Sequence, residues 1–194
     1  MAFEIVVVGA SSGGLKALQV FLGGLGSEFR VPIVIVQHRG NDSDPGLCDF
    51  LAQHTTLTTR EPDDKEPIRE GHVYLAPSDY HLLITDRGFA LSIDPPIAFA
   101  RPSIDLLFES AAEEYGNRAI GVILTGNNSD GARGLATIKA HGGLAIVEDP
   151  REAAFSEMPK AALAKCNVDW IVPLENISSL LEQLTGSMVG NYET

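Results

Sequence analysis

The chain reads as a doubly wound α/β protein, a mostly parallel sheet with helices on both faces and a short antiparallel hairpin insertion. Three observations predict this. Apolar strand-like runs at residues 3–8, 31–36 and 119–124 alternate with stretches of helical period. The run at 31–36 is almost unbroken and β-branched, the pattern of a strand covered on both faces. With 194 residues and 44% apolar content, the chain is long enough to bury one such layered core. Residues 1–194 are therefore expected to form a single domain.

The first run breaks at Gly9-Ala10-Ser11-Ser12-Gly13-Gly14 and turns amphipathic from Leu15, with Leu18, Phe21, Leu22 and Leu25 at helical spacing until Gly23, Gly24 and Gly26 end the pattern. The second run leads to Gln37-His38-Arg39. Asp42-Ser43-Asp44-Pro45 reads as a helix start, with Leu47, Phe50 and Leu51 as its apolar face. Residues 55–70 show little periodicity and are expected to cross the surface. Between 71 and 93, three short runs separated by Pro77-Ser78-Asp79 and Asp86-Arg87-Gly88 predict an inserted strand followed by a hairpin. Arg101-Pro102-Ser103 opens a helix bearing Ile104, Leu107, Phe108 and Ala111 on one face. The parallel pattern resumes with a strand at 119–124, a polar loop at 125–129, a helix at 130–141 and a strand at 144–147. A short helix near Met158-Pro159, a strand at 170–172 and a helix over 177–184 close the chain.

Charge and cysteine usage narrow the function. A net charge of −12 argues against nucleic acid and anionic membrane as partners, because phosphate neutralisation needs clustered Lys and Arg. The two cysteines, Cys48 and Cys166, form no metal or disulfide pattern and are expected to be buried thiols. Asp42, Asp44, Asp63 and Asp64 match no calcium loop. No apolar run reaches the length of a membrane span, and no basic, cleavable leader precedes the first strand, so a cytoplasmic protein is expected.

The Gly-rich turn after the first strand has three readings. Gly9 and Gly13 flank Ser11 as in G-x-S-x-G nucleophile turns. The same letters resemble the start of a dinucleotide-binding unit, although Ser11 stands where that fingerprint wants Gly. The third reading is a plain strand-to-helix turn. Position adds information: Ser11 follows the first strand, His38 the second, and Asp130 the strand at 119–124. In an open parallel sheet these loops emerge at one edge. There a His removes the Ser proton and an Asp orients the imidazole. The order Ser, His, Asp is not that of an α/β-hydrolase.

Six blocks then carry a resemblance: GASSGG at 9–14, VQH at 36–38, GHVYLAPSDYHLL at 71–83, ARPSIDLLFESAA at 100–112, GVILTG with SDGARGL across 121–135, and MPKAAL at 158–163. In this order, over nearly the whole length, they resemble the catalytic domain of the chemotaxis protein-glutamate methylesterases, the CheB family. The resemblance implies Ser11 as nucleophile, His38 as general base and acid, Asp130 as orienting carboxylate, and an oxyanion hole at Ser12 and the N–H of Asn127. It implies hydrolysis of glutamate methyl esters on the cytoplasmic helices of methylated chemoreceptors, with glutamine deamidation by the same acyl-enzyme, and needs neither cofactor nor metal. The alternatives are a receptor-binding module without activity and an esterase for another methyl ester.

The chain departs from the family pattern in three places. The usual T-G-M-G-x-D loop here reads Thr125-Gly126-Asn127-Asn128-Ser129-Asp130, and Asn128 in place of Gly is expected to suit a positive φ. Arg39 puts a cation beside the catalytic His, where it is expected to alter its basicity or substrate docking. The resemblance implies an N-terminal receiver domain, whereas in this sequence the catalytic segment is expected to begin almost at Met1, as either a stand-alone esterase or an excised domain would. Arg101, at the helix entry, is a candidate either for binding a substrate carboxylate or for bridging a loop. His81 is expected at most to support the site, and His54, His72 and His141 to be surface or packing residues.

Overall fold

The computed structural model describes residues 2–38 and 46–186. Nine strands and six α-helices alternate along these residues. The first strand, β1 (Ile5–Ala10), leads into helix α1 (Gly14–Gly23), strand β2 (Ile33–Gln37), helix α2 (Leu47–Ala52) and strands β3 (Thr58–Arg60) and β4 (His72–Leu75). A hairpin, β5 (His81–Thr85) and β6 (Gly88–Ser92), precedes helix α3 (Ile104–Tyr115). Then come β7 (Ala119–Ile123), α4 (Ala132–Ala140), β8 (Leu144–Glu148), α5 (Glu157–Lys165), β9 (Trp170–Val172) and α6 (Leu174–Thr185).

Seven strands form one sheet in the order β3-β4-β2-β1-β7-β8-β9, and each neighbouring pair is parallel. Alternation along the strands divides the core in two. Val6, Val8, Ile33 and Ile35 point towards α1, α2 and α6, packing with Leu18, Phe21, Leu51 and Leu181. Ile5, Val7, Val34 and Val36 point to the other face, where α3, α4 and α5 supply Leu107, Phe108, Leu135 and Ala162. All six residues of β1 are buried. Each Val or Ile so covered contributes about 1.5–3 kcal/mol, so the central strand is a rigid base for the turn at its carboxyl end.

The main departures from the sequence reading have physical reasons. The first strand begins at Ile5 and continues through Gly9 and Ala10, because β2 and β7 hold it on both sides as far as Gln37 and Ile123. Residues 55–70 contain the edge strand β3, whose three half-exposed or exposed residues show no alternation to read. The segment 72–75 is not an insertion but a member of the parallel sheet between β2 and β3. Among the named strands of the described residues, β5 and β6 alone pair antiparallel, turning through Asp86 and Arg87 at φ 51° and 57°, the left-handed pair of a type I′ hairpin. That hairpin packs on α3, where Ser110 Oγ accepts the Ile84 N–H. Cys48 and Cys166 form no disulfide with each other and are half-buried rather than enclosed. The expected helix start at 42–45 lies outside the described residues.

Candidate active site

Strand order places the site. The chain winds outward from β1 through β2 to the edge strand β3, comes back to β4 between β3 and β2, and then crosses to β7 on the other side of β1. The carboxyl ends of β1 and β7 therefore flank a topological switch point, where loops diverge and leave a crevice. Ser11 follows β1, His38 follows β2, and the loop 125–130 follows β7.

Ser11 is held by its backbone. Its N–H donates to Thr125 O (3.0 Å), and its carbonyl accepts from Gly14 N (2.8 Å) and Gln37 Nε2 (2.9 Å). Gly13 takes φ 79°, a left-handed turn that starts α1 beneath the hydroxyl. Gly126 permits the close approach of the β7 loop, since a Cβ there would overlap Met158 Sδ and crowd Ser11 Cβ.

His38 and Asp130 are in direct contact: His38 Nε2 lies 2.8 Å from Asp130 Oδ2, with side chains 13% and 5% exposed. Asp130 Oδ2 also accepts the Ile104 N–H (2.7 Å), while Oδ1 accepts from Asp105 N (3.0 Å) and Ser103 Oγ (3.0 Å). The carboxylate thus sits on the N-terminus of α3, whose open N–H groups and dipole favour an anion. Burial pushes its pKa up, but the hydrogen bonds from His38, Asp105 and Ile104 outweigh this and hold it below the ordinary 3.8. An ionised, acceptor-only Asp130 requires the proton of neutral His38 on Nε2, which leaves Nδ1 as the basic nitrogen.

The arrangement is reciprocal. Asp105, in the first turn of α3, accepts from Gly131 N (2.9 Å) and Gly134 N (2.8 Å) at the start of α4. Each of two adjacent helices is capped by a carboxylate from the other's entry. Burial, with Asp130 nearby, raises the Asp105 pKa despite these bonds.

Ser12 and Asn127 are exposed, and their N–H groups have no hydrogen-bond partner among the described residues. They flank the Ser11 crevice from the N-terminus of α1 and from the β7 loop. Asn128 does not take a positive φ. Instead its side chain turns inward: Oδ1 accepts from Asp130 N (2.9 Å), while Nδ2 lies 3.1 Å from His38 Nδ1 and 3.3 Å from Ser11 Oγ.

Arg101 Nη1 donates to the carbonyls of Ile93 (3.0 Å) and Asp94 (3.2 Å), so its guanidinium bridges the loop before α3. It also lines a cavity of about 410 Å³ with His38, Asn128 and Phe99. Phe99 is fully exposed, and it and Ala98 hold φ of 68° and 47° at the tip of this loop. A second cavity of about 410 Å³ lies on the other side, lined by Ser11, Leu15, Gln37 and Phe50.

Three supporting residues do more than their places in the sequence suggest. Gln37 Nε2 ties Ser11 O and His38 O (2.7 Å) together, clamping both loops with one amide; the signal was a lone polar residue at the end of an apolar run. Thr125 Oγ1 donates to Ser12 O (2.9 Å) and accepts from Phe155 N (2.8 Å), and its N–H donates to the buried Glu148 (2.7 Å). His81, fully buried, accepts the Ser103 N–H on Nδ1 (3.2 Å) and places Nε2 at Pro95 O (3.2 Å), fixing the entry to α3. His54 and His141 bond carbonyls of their own helical turns, and His72 stacks on Tyr74. Arg39, Asp42 and Asp44 lie outside the described residues. Among the described residues no three His, Cys, Asp or Glu side chains are grouped to hold a metal, and no helix is long and apolar enough to cross a membrane.

A hydroxyl, an imidazole and a buried carboxylate gathered at the switch point of a doubly wound sheet are the groups on which serine hydrolases are built. Comparison with known proteins is specific. The CheB methylesterase family matches over residues 6–181, and the chain belongs to that family. It is 46% identical over 185 residues to a putative protein-glutamate methylesterase/protein-glutamine glutaminase of Leptospira interrogans, covering 95% of this chain and 96% of that one. A protein-glutamate methylesterase/protein-glutamine glutaminase of Anaeromyxobacter dehalogenans is 42% identical, over 94% of this chain but 53% of its own length. The crystal structure of the Thermotoga maritima CheB methylesterase catalytic domain superposes with a TM-score of 0.89 at 34% identity, covering 95% of this chain and all of that one.

Proposed function

We propose that the chain is a protein-glutamate methylesterase acting in the cytoplasm on the methylated helices of chemoreceptors, and a glutaminase on receptor glutamines by the same route. The observation that supports this best is the His38–Asp130 pair, at 2.8 Å, beside Ser11 at the switch point. Ser11 Oγ attacks the ester carbonyl as its proton passes to His38 Nδ1, and Asp130 stabilises the imidazolium. The N–H groups of Ser12 and Asn127 receive the oxyanion, each such donor being typically worth about 3 kcal/mol. Methanol leaves with the proton from His38. Water, deprotonated by the same nitrogen, then releases the glutamate carboxylate. With glutamine, ammonia is the leaving group.

Ser11→Ala tests the reading. Methanol release from methylated receptor should fall by at least about 10⁴-fold with the fold retained. Turnover near wild type would refute it. Receptor binding by the wild-type protein without methanol release would point instead to a docking module.

A further inference from the structure

In this structure the nitrogen that must accept the Ser11 proton is already engaged. His38 Nε2 is committed to Asp130, which can only accept, so Nδ1 is the free lone pair. Asn128 Nδ2 lies 3.1 Å from that Nδ1 and 3.3 Å from Ser11 Oγ, and so occupies the space between nucleophile and base. The orientation of the amide is determined by its other end: Asn128 Oδ1 accepts the Asp130 N–H at 2.9 Å, so the opposite atom is the NH2. An N–H donated to Nδ1 uses the lone pair that catalysis requires.

We propose that Asn128 is a gate residue: its amide holds His38 Nδ1 in the unliganded enzyme and is drawn aside when a polypeptide substrate arrives. The inference rests on the reading of Ser11 and His38 given above. Two features support displacement. Asn128 is exposed and faces the cavity it shares with His38, so a substrate entering there meets the amide first. A backbone carbonyl flanking the esterified side chain is the acceptor that an evicted N–H needs. The residue is also not a stand-in for glycine, since its φ is not positive and its side chain makes every contact of interest. A small ester without a neighbouring amide carbonyl offers no such replacement, so the gate favours peptide-borne esters.

The test compares full-length wild type with Asn128→Ser and Asn128→Gly. Serine keeps an oxygen for the Asp130 N–H but cannot reach His38. Each protein is exposed to a small fluorophosphonate, and the Ser11 adduct is followed by mass spectrometry. The Ser11 Oγ–P bond forms as the P–F bond breaks, fluoride departs, and the serine proton goes to His38 Nδ1. Losing one neutral hydrogen bond to the base should speed labelling roughly two- to tenfold in both variants. With methylated receptor the gain should appear in KM rather than in kcat, because bound substrate has already opened the gate. Labelling that is unchanged overturns the gate. Slower labelling with a lower kcat also overturns it, and makes the amide a donor to the oxyanion. If Ser11 takes no label in any of the three proteins, the nucleophile assignment fails and the gate falls with it.

Discussion

Replacing Asp130 by Asn removes one charge and puts an NH2 where an oxygen now accepts two bonds. With the NH2 in the Oδ1 position it faces Ser103 and the Asp105 N–H; the hydroxyl can rotate to accept, but the peptide N–H is stranded. In the Oδ2 position it faces the Ile104 N–H and His38 Nε2, and the imidazole must move its proton to Nδ1 and lose its base. Either placement orphans a buried donor at the start of α3 and forfeits the charge assistance of the others. Together these amount to about 2–4 kcal/mol. For a domain of this size that is a fall in Tm of roughly 5–12 °C. Methanol release should drop by about 10⁴-fold, the scale of losing the orienting carboxylate. The pH dependence has a definite sign. Because the folded pKa lies below 3.8, the stabilisation by ionised Asp130 is complete above that value and disappears as pH falls through the folded pKa. The Tm difference between wild type and variant should therefore be constant at neutral pH and close in strong acid. A variant that keeps the wild-type Tm at pH 7 would refute the capping argument. One that keeps activity within tenfold would refute the role given to the carboxylate.

Gln37→Ala should lower kcat by about 10–100-fold, as loss of a second tier of hydrogen bonds does elsewhere, with a smaller effect on KM; methanol-release kinetics decide it. Glu148 is pushed above its ordinary 4.5 chiefly by burial, so wild type loses stability as pH rises from about 4.5 through the raised value. Glu148→Gln keeps an oxygen for the Thr125 N–H and escapes that loss; its Tm should exceed that of wild type at pH 7 and converge with it in acid. Phe99→Ser removes an exposed ring beside the His38 cavity, and should raise KM for methylated receptor while leaving the Ser11 labelling rate unchanged.

The order of elements and the edge on which Ser11, His38 and Asp130 meet were legible because both rest on periodicity and on glycine punctuation. The edge strand β3 was not, since three residues with one neighbour carry no pattern. Nor was the place of 72–75 within the sheet, because strand order is a long-range property that a local run does not encode. Within the site, the residues that act by backbone clamping were the hardest to see. Gln37, Thr125 and His81 do their work through carbonyls and N–H groups, most of them of residues distant in sequence, and a side chain that reads only backbone leaves no spacing rule. Asn128 draws the eye in sequence for its φ, when its amide is what matters.

The mutual capping of α3 and α4 gives the two halves of the chemistry unequal fates. Among the described residues the Ser11 hydroxyl contacts the Asn128 amide alone, so on the proposed mechanism its loss would silence the protein and leave it standing. Asp130 holds the first turn of α3, the Ser103 hydroxyl just before it and an imidazole at once. On the proposed mechanism, a lineage released from selection for hydrolysis would therefore shed the serine first and carry the aspartate long afterwards, so that an Asp130 in a distant homologue would testify to the fold, and only a Ser11 beside it to the reaction.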